Sequence, residues 1–199
     1  MSDIIVGLDI GNIFIRTIVG EFTDNGTIQI VGTGKAKSPG LRNGSVVNIE
    51  ATMQAIKQSI EAAEMVSGYE IHSCVCSIGG TQIESENSKG VATVSNKGNA
   101  KCEIKEVDMA RAIEMSKVKA LPPDRHVLHV IPRSYTVDGQ EGIKDPRNML
   151  GVRLEAESHL ITVSSTAKTN IENCIRRAGY DVDRVMVKSI AAAKAVMLE

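Results

Sequence analysis

Tryptophan is absent from this 199-residue chain, and all aromatics together amount to 3%. So thin a supply disfavours surfaces that hold nucleic acid by stacking bases on rings. An excess of either charge is missing too. The 23 Lys and Arg nearly balance the 24 Asp and Glu, leaving a net charge of -1. No run of like charges stands out. The basic stripe that displaces counterions from a phosphate backbone is therefore lacking, and no nucleic-acid partner is expected. Cysteines are few: Cys74, Cys76, Cys102 and Cys174 fall at spacings that fit neither a zinc pair nor a redox Cys-x-x-Cys. The N-terminus has no basic region ahead of an apolar segment, so no secretory signal is read there. No apolar run reaches the roughly 20 residues that a membrane-spanning helix needs. Also missing are G-x-x-x-x-G-K-[ST] and a G-x-G-x-x-G that opens a helix. These absences leave a reduced, cytoplasmic protein as the expectation. Its 42% hydrophobic content is enough for a packed core.

What is there begins with "IIVGLDIGNIFIRTIVGEF" (Ile4–Phe22). The stretches Ile4–Ile10 and Ile13–Phe22 are rich in β-branched residues and read as strands. Only Gly11 and Asn12 lie between them, a tight-hairpin composition. A third strand is predicted at Thr27–Ala36, so the chain opens as an antiparallel meander. "SPGLRNGS" (Ser38–Ser45) reads as a loop. A helix follows with Asn48 as its N-cap, Met53, Ile56, Ile60 and Ala63 on one face, and Gly68 as its stop. "SCVCSIGG" (Ser73–Gly80) is a short strand, parallel to the first because a helix connects them. Cys74 and Cys76 read as buried thiols. Small polar residues then dominate as far as Lys101. Further on come a helix at Val107–Val118, strands at His126–Asp138 and Val152–Ser164 with Gly139–Gly151 as a loop between them, a helix at Lys168–Ala178, a strand at Val182–Val187 and a helix at Ile190–Leu198. Ser164, Ser165 and Thr166 are read as caps. His126 and His129, three apart on a strand, point to opposite faces, which argues against joint metal ligation. The middle block reads as a small domain inserted into an α/β one.

Asp9 is the one acid in an otherwise apolar run, and two readings of it stand open. As a chemical residue, it sits at a strand end beside a hairpin whose N–H groups form a shallow anion cradle. Gly11 would let a phosphate approach the backbone, and Asp9 would hold magnesium through water, as that ion prefers. As a structural residue, Asp9 merely stabilises the turn through a local backbone bond. "SIGGT" (Ser77–Thr81) looks like a second phosphate loop, but a junction between domains is the favoured role for Gly79 and Gly80.

"GLDIGNIFIRTIVGE" resembles the first phosphate motif of the actin-like ATPases, a superfamily that spans actin, chaperones and sugar kinases. "KSPGLRNGSVVNIE" (Lys37–Glu50) and, above all, "RHVLHVIPRSYTVDGQEGIKDPRNMLGVRLEAESHLIT" (Arg125–Thr162) resemble the FtsA family of bacterial cell-division proteins. The resemblance implies an α/β, actin-like (ribonuclease H-like) mixed sheet with helices, plus an inserted small α+β subdomain. Residues 1–82 and 163–199 would be subdomain IA, and residues 83–162 subdomain IC. It also implies ATP and magnesium as cofactors. The nucleotide-binding residues would be Asp9, Gly11, Asn12, Ile13, Phe14 and Arg16, with magnesium on Asp9 through water. Asn12 stands where the family usually has Thr or Ser. Phe14 falls where many relatives carry Lys, and Arg16, placed on the other strand face, would supply the charge instead.

In function, the resemblance implies a scaffold that polymerises with ATP, tethers the FtsZ ring to the inner membrane and recruits later division proteins through residues 83–162. The expected location is cytoplasmic, peripheral on the inner membrane at the division site. Membrane contact would come only through a C-terminal segment beyond Glu199, and the chain is expected to be the N-terminal half of a longer protein. The catalytic residues are left unassigned. Ser189 and Ala191 stand where hydrolases of the superfamily tend to place Gln or Glu, so at most weak ATPase activity is expected, with nucleotide as an assembly switch. A kinase or chaperone-type ATPase of the same superfamily is the competing reading.

Overall fold

A five-stranded sheet, begun by the β-branched run at the start of the chain, organises one of two units. In the computed structural model, which describes residues 4–94, 102–118 and 122–197, the chain divides into Met1–Ile83 with Ser164–Glu199, and Glu84–Val163.

In the first unit, β1 (Ile4–Ile10), β2 (Phe14–Phe22) and β3 (Ile28–Lys37) form the expected meander. The hairpin between β1 and β2 holds three residues rather than two, because Ile13 stays in the turn. The segment read as the loop Ser38–Ser45 contains a miniature hairpin of β4 (Leu41–Arg42) and β5 (Ser45–Val46). Asn43 and Gly44 turn it with φ of 52° and 81°. Asn-Gly is a turn signal for such a hairpin, but two-residue strands leave no alternation to read beside it. Helix α1 (Ile49–Ser67) begins at Asn48, whose side chain accepts from the Ala51 N–H, and ends at left-handed Gly68. β6 (Ser73–Ile78) then runs parallel to β1, and β13 (Asp181–Val187) parallel to β6. The sheet order is β13-β6-β1-β2-β3.

Side-chain volume sets how closely α1 approaches this sheet. Ser59, Ala63 and Ser67 recur every four residues on one helix face and meet Gly32 and Gly34 of β3. A Cβ at Gly34 would overlap the Ser59 carbonyl oxygen, and one at Gly32 would lie 2.8 Å from that of Ala63. The β2–β3 pairing slips by one residue beside Val19 and Gly20. That bulge reverses the alternation within β3. Gly32, Gly34 and Ala36 therefore face the helix, whereas Ile28 and Ile30 remain exposed. Ile56, Ile60 and Ala63 are buried as expected, and Met53 is half-buried at the margin. Helix α3 (Ser165–Arg177), capped by Ser164, packs beside α1, and Cys74, Cys76 and Cys174 are buried. Helix α4 (Lys188–Val196) contacts β13 and β6; Leu198, the expected end of that helix, lies outside the described residues.

The second unit is a four-stranded sheet in the order β10-β9-β12-β7, with helix α2 against it. Strand β7 spans Ile83–Thr93, β9 Arg125–Val137, β10 Gln140–Ile143 and β12 Arg153–Ser164, and α2 spans Glu106–Lys117. A two-stranded pair joins β8 (Cys102–Glu103) to β11 (Leu150–Gly151). The stretch read as the loop Gly139–Gly151 thus contributes two short strands. The first is set by Asp138 and Gly139, at φ 46° and 89°, another hairpin turn pair. β7 begins earlier than its apolar residues suggest. Residues 84–87 are exposed on an edge strand, where neither face is buried and no alternation marks the start. A core of Ala92, Val94, Ile104, Ala112, Tyr135, Val137, Leu154 and Ala156 fills this unit. Gly90 repeats the device of Gly34: a Cβ there would overlap the Ala112 carbonyl and the Ser116 N–H of α2.

Candidate functional site

Three parallel strands end on the same side of the first unit's sheet, and each delivers one polar residue there. Asp9 is the penultimate residue of β1, Ser77 lies beside it in register near the end of β6, and Lys188 follows β13. The carboxyl ends of parallel strands are where open α/β sheets place ligands. Ser77 Oγ donates to Asp9 Oδ1 at 2.8 Å. Lys188 Nζ also lies 2.8 Å from Asp9 Oδ1 and donates to the Ile10 carbonyl at 3.3 Å. Arg16, opposite Asp9 in the β1–β2 ladder, places Nη1 3.5 Å from Asp9 Oδ2. Partial burial works against ionisation of Asp9. Hydrogen bonds from Lys188 and Ser77 and the charges of Lys188 and Arg16 outweigh it, so its carboxyl is held below the ordinary carboxylate range.

A cleft of about 490 Å³ opens beneath this group. Its floor includes Gly7, Ile18, Val75 and Met186, and α4 supplies Ala191 and Ala192. The cleft is apolar below and charged at its rim, an arrangement common to small-molecule sites.

Asp9 and Arg16 meet directly. Phe14 joins them through its ring, with Lys35 Nζ 3.8 Å and Arg16 Cζ 5.5 Å from its centroid. Arg16 therefore shares the face of Phe14 rather than lying on the other one, as residues two apart on a strand must. Gly11 closes the turn itself: its N–H donates to the Phe14 carbonyl at 3.1 Å, and a Cβ there would come 2.6 Å from that oxygen. Asn12 and Ile13 stand apart from Asp9, tied to the segment after β3. Asn12 Oδ1 accepts from the Gly44 N–H at 2.9 Å, and the Ile13 carbonyl accepts from the Ser38 N–H at 3.0 Å. Lys188 was not singled out from the sequence, and Ser77 stood out only as the start of the "SIGGT" stretch. The signal for them was available in the topology, because parallel strands align their carboxyl ends.

No cluster of three or more His, Cys, Asp or Glu that could hold a metal occurs among the described residues. Asp9 brings a single carboxylate already flanked by two cations, so these residues do not by themselves form a resident metal site. No helix among the described residues is long and apolar enough to cross a membrane.

A family model described as the SHS2 domain inserted in FtsA matches residues 80–162. Over 195 residues, 98% of this chain and 46% of the relative, the sequence is 44% identical to the cell division protein FtsA of Borreliella burgdorferi. The FtsA proteins of Pseudomonas aeruginosa and Escherichia coli are 40% and 31% identical, again over 98% of this chain and 46% of theirs. The chain belongs to the FtsA family. It spans about half the length of the curated FtsA relatives it matches. Among solved structures, a chain of a PilM–PilN type IV pilus biogenesis complex superposes with a TM-score of 0.63 at 14% identity, covering 96% of this chain and 49% of that one. That likeness carries the fold, which is the actin-like α/β fold. The FtsA-type insertion is the feature that sets the middle of the chain apart.

Proposed function

We propose that the chain acts in bacterial cell division as the nucleotide-responsive portion of an FtsA-type scaffold, with magnesium-ATP bound at the rim built by Asp9, Arg16, Ser77 and Lys188. The observation that carries this reading is the Asp9 group: one ionised carboxylate between two cations, at the carboxyl ends of parallel strands and above an apolar cleft. Magnesium supplies charge neutralisation for the phosphates, and Asp9 orients its water. Lys188 and Arg16 are placed to exchange Asp9 for phosphate oxygens. The turn at Asn12 and Ile13, next to Asp9 in sequence, would offer backbone N–H groups to the same phosphates. Gly11 and Phe14 shape the turn. Ser189 and Ala191 at the start of α4 carry no carboxylate or carboxamide to orient an attacking water, so nucleotide serves as an assembly switch with at most weak hydrolysis.

In the whole protein this switch governs self-association into filaments and attachment of the FtsZ ring to the cytoplasmic face of the inner membrane. Later division proteins dock through residues 83–162. The kinase and chaperone readings do not account for the FtsA-type insertion.

The test is calorimetric titration of magnesium-ATP into full-length protein carrying Asp9 or Asp9→Asn. Weaker binding by at least about tenfold in the variant is expected, since one charge contact to a hydrated ion is lost. Equal affinities reject the site.

A further inference from the structure

We propose that the miniature β4–β5 hairpin is a strap that couples the Gly11–Ile13 turn to the Gly79–Gln82 turn, with the Asn12 carboxamide as its positioning contact. The strap part stands on geometry alone; its response to ligand rests on the nucleotide reading above. At one end, Asn12 Oδ1 takes the Gly44 N–H at 2.9 Å, and the Ile13 carbonyl takes the Ser38 N–H at 3.0 Å. At the other end, the tip of the hairpin lies backbone to backbone on Gly79 and Gly80. A Cβ at Gly44 would collide with the Gly79 carbonyl oxygen, and a Cβ at Gly80 would lie 2.6 Å from that of Asn43. Gln82 Nε2 donates to Ser45 Oγ at 2.7 Å. The Gly80 carbonyl accepts from the Ile83 N–H at 3.3 Å, and the Gln82 carbonyl from the Ser164 N–H at 3.2 Å. A chain of short polar and backbone contacts thus runs from Asn12 to the residues that lead into and out of strands β7 and β12.

The chemistry of Asn suits this role. Its oxygen accepts from Gly44 while its NH2 keeps two donors for an anion at the hairpin. A ligand oxygen bound by those donors fixes the carboxamide plane and tightens the bond to Gly44. The strap is therefore most ordered when the hairpin is occupied. Coupling of this kind is a shift in local opening free energy shared by both turns.

Amide hydrogen exchange on the wild-type chain, Asn12→Ala and Asn12→Asp tests it without ligand. Asn12 is exposed, so neither variant threatens the core. Asn12→Ala should speed exchange at Gly44 by about fivefold, the factor one neutral hydrogen bond carries, and at Ile83 and Ser164 by at least about twofold through the shared opening. Gly68, at the far end of α1, should not change. Asn12→Asp keeps the acceptor and should restore wild-type rates at all three amides. Acceleration confined to Gly44 overturns the strap. In a second arm, magnesium-ATP added to the full-length wild-type protein should slow Gly44, Ile83 and Ser164 together. If the unliganded coupling holds but magnesium-ATP slows none of them, the strap stands and the nucleotide reading falls.

Discussion

Asp9 carries charge that the fold stabilises, and the pH dependence of that contribution has a definite sign. Its folded value lies below 3.8, its ordinary one. A depressed carboxylate contributes stability that is complete above the ordinary value and is lost as pH falls through the folded one. The gap in melting temperature between wild type and Asp9→Asn should therefore be constant near neutrality and shrink only below about pH 4. Near pH 7 the gap should be small, because Lys188 and Arg16 are both partly exposed and such pairs contribute about 0–1 kcal/mol. Melts of both proteins across pH 2–7 check this; a gap that widens in acid contradicts the assigned contacts. The thiols give a second residue-level expectation. Burial pushes Cys74 and Cys76 up to about 12 each, and raises Cys174 as well. A thiol reagent at pH 8 should reach half-buried Cys102 first and the other three only on unfolding. Rapid native labelling of Cys76 would contradict the α1–α3 packing.

At the scale of elements, helix docking is governed by the smallest residues. Gly34→Ala forces a methyl into the Ser59 carbonyl of α1, and Gly90→Ala does the same to α2. Each should cost about 2–3 kcal/mol, the upper part of the usual range for overpacking, read as a lower denaturation midpoint. Asn48→Ala, which removes only a cap, should cost about 1 kcal/mol. A Gly34→Ala variant no less stable than Asn48→Ala would show that α1 docks less closely than described. These elements also show what was legible in the sequence. The long ones were, because β-branched runs, the 3.6 period of α1 and its Asn48 and Gly68 boundaries act locally. The hairpin at Asn43–Gly44, strand β10 and the start of β7 were not, because two to four polar residues carry no periodicity. The same limit hid half of the site. Asp9 stands out as a lone acid in an apolar run, whereas Ser77 and Lys188 become visible only once β1, β6 and β13 are known to end together.

For the whole molecule, the second unit has its own core, from Ala92 and Val94 through Tyr135 to Leu154. Residues 84–163 alone should melt cooperatively by circular dichroism without nucleotide, as a sheet covered by one helix can. A featureless melt would show that this unit depends on the rest of the chain. The first unit leaves Ile5, Ile18, Phe22, Ile28 and Ile30 exposed. Apolar dye should therefore bind the 199-residue chain, and less after Ile28 and Ile30 are both changed to Thr.

The closeness of the helices to β3 and β7 also has a genetic meaning. Any missense change at a glycine codon adds a side chain, and at positions 34 and 90 the space beside the backbone is already taken by another backbone. Neither position has a conservative neighbour in the genetic code. In a saturation library selected for folded protein, both should retain a single letter, while turn positions such as Gly26 and Gly139, with open space around them, should admit asparagine.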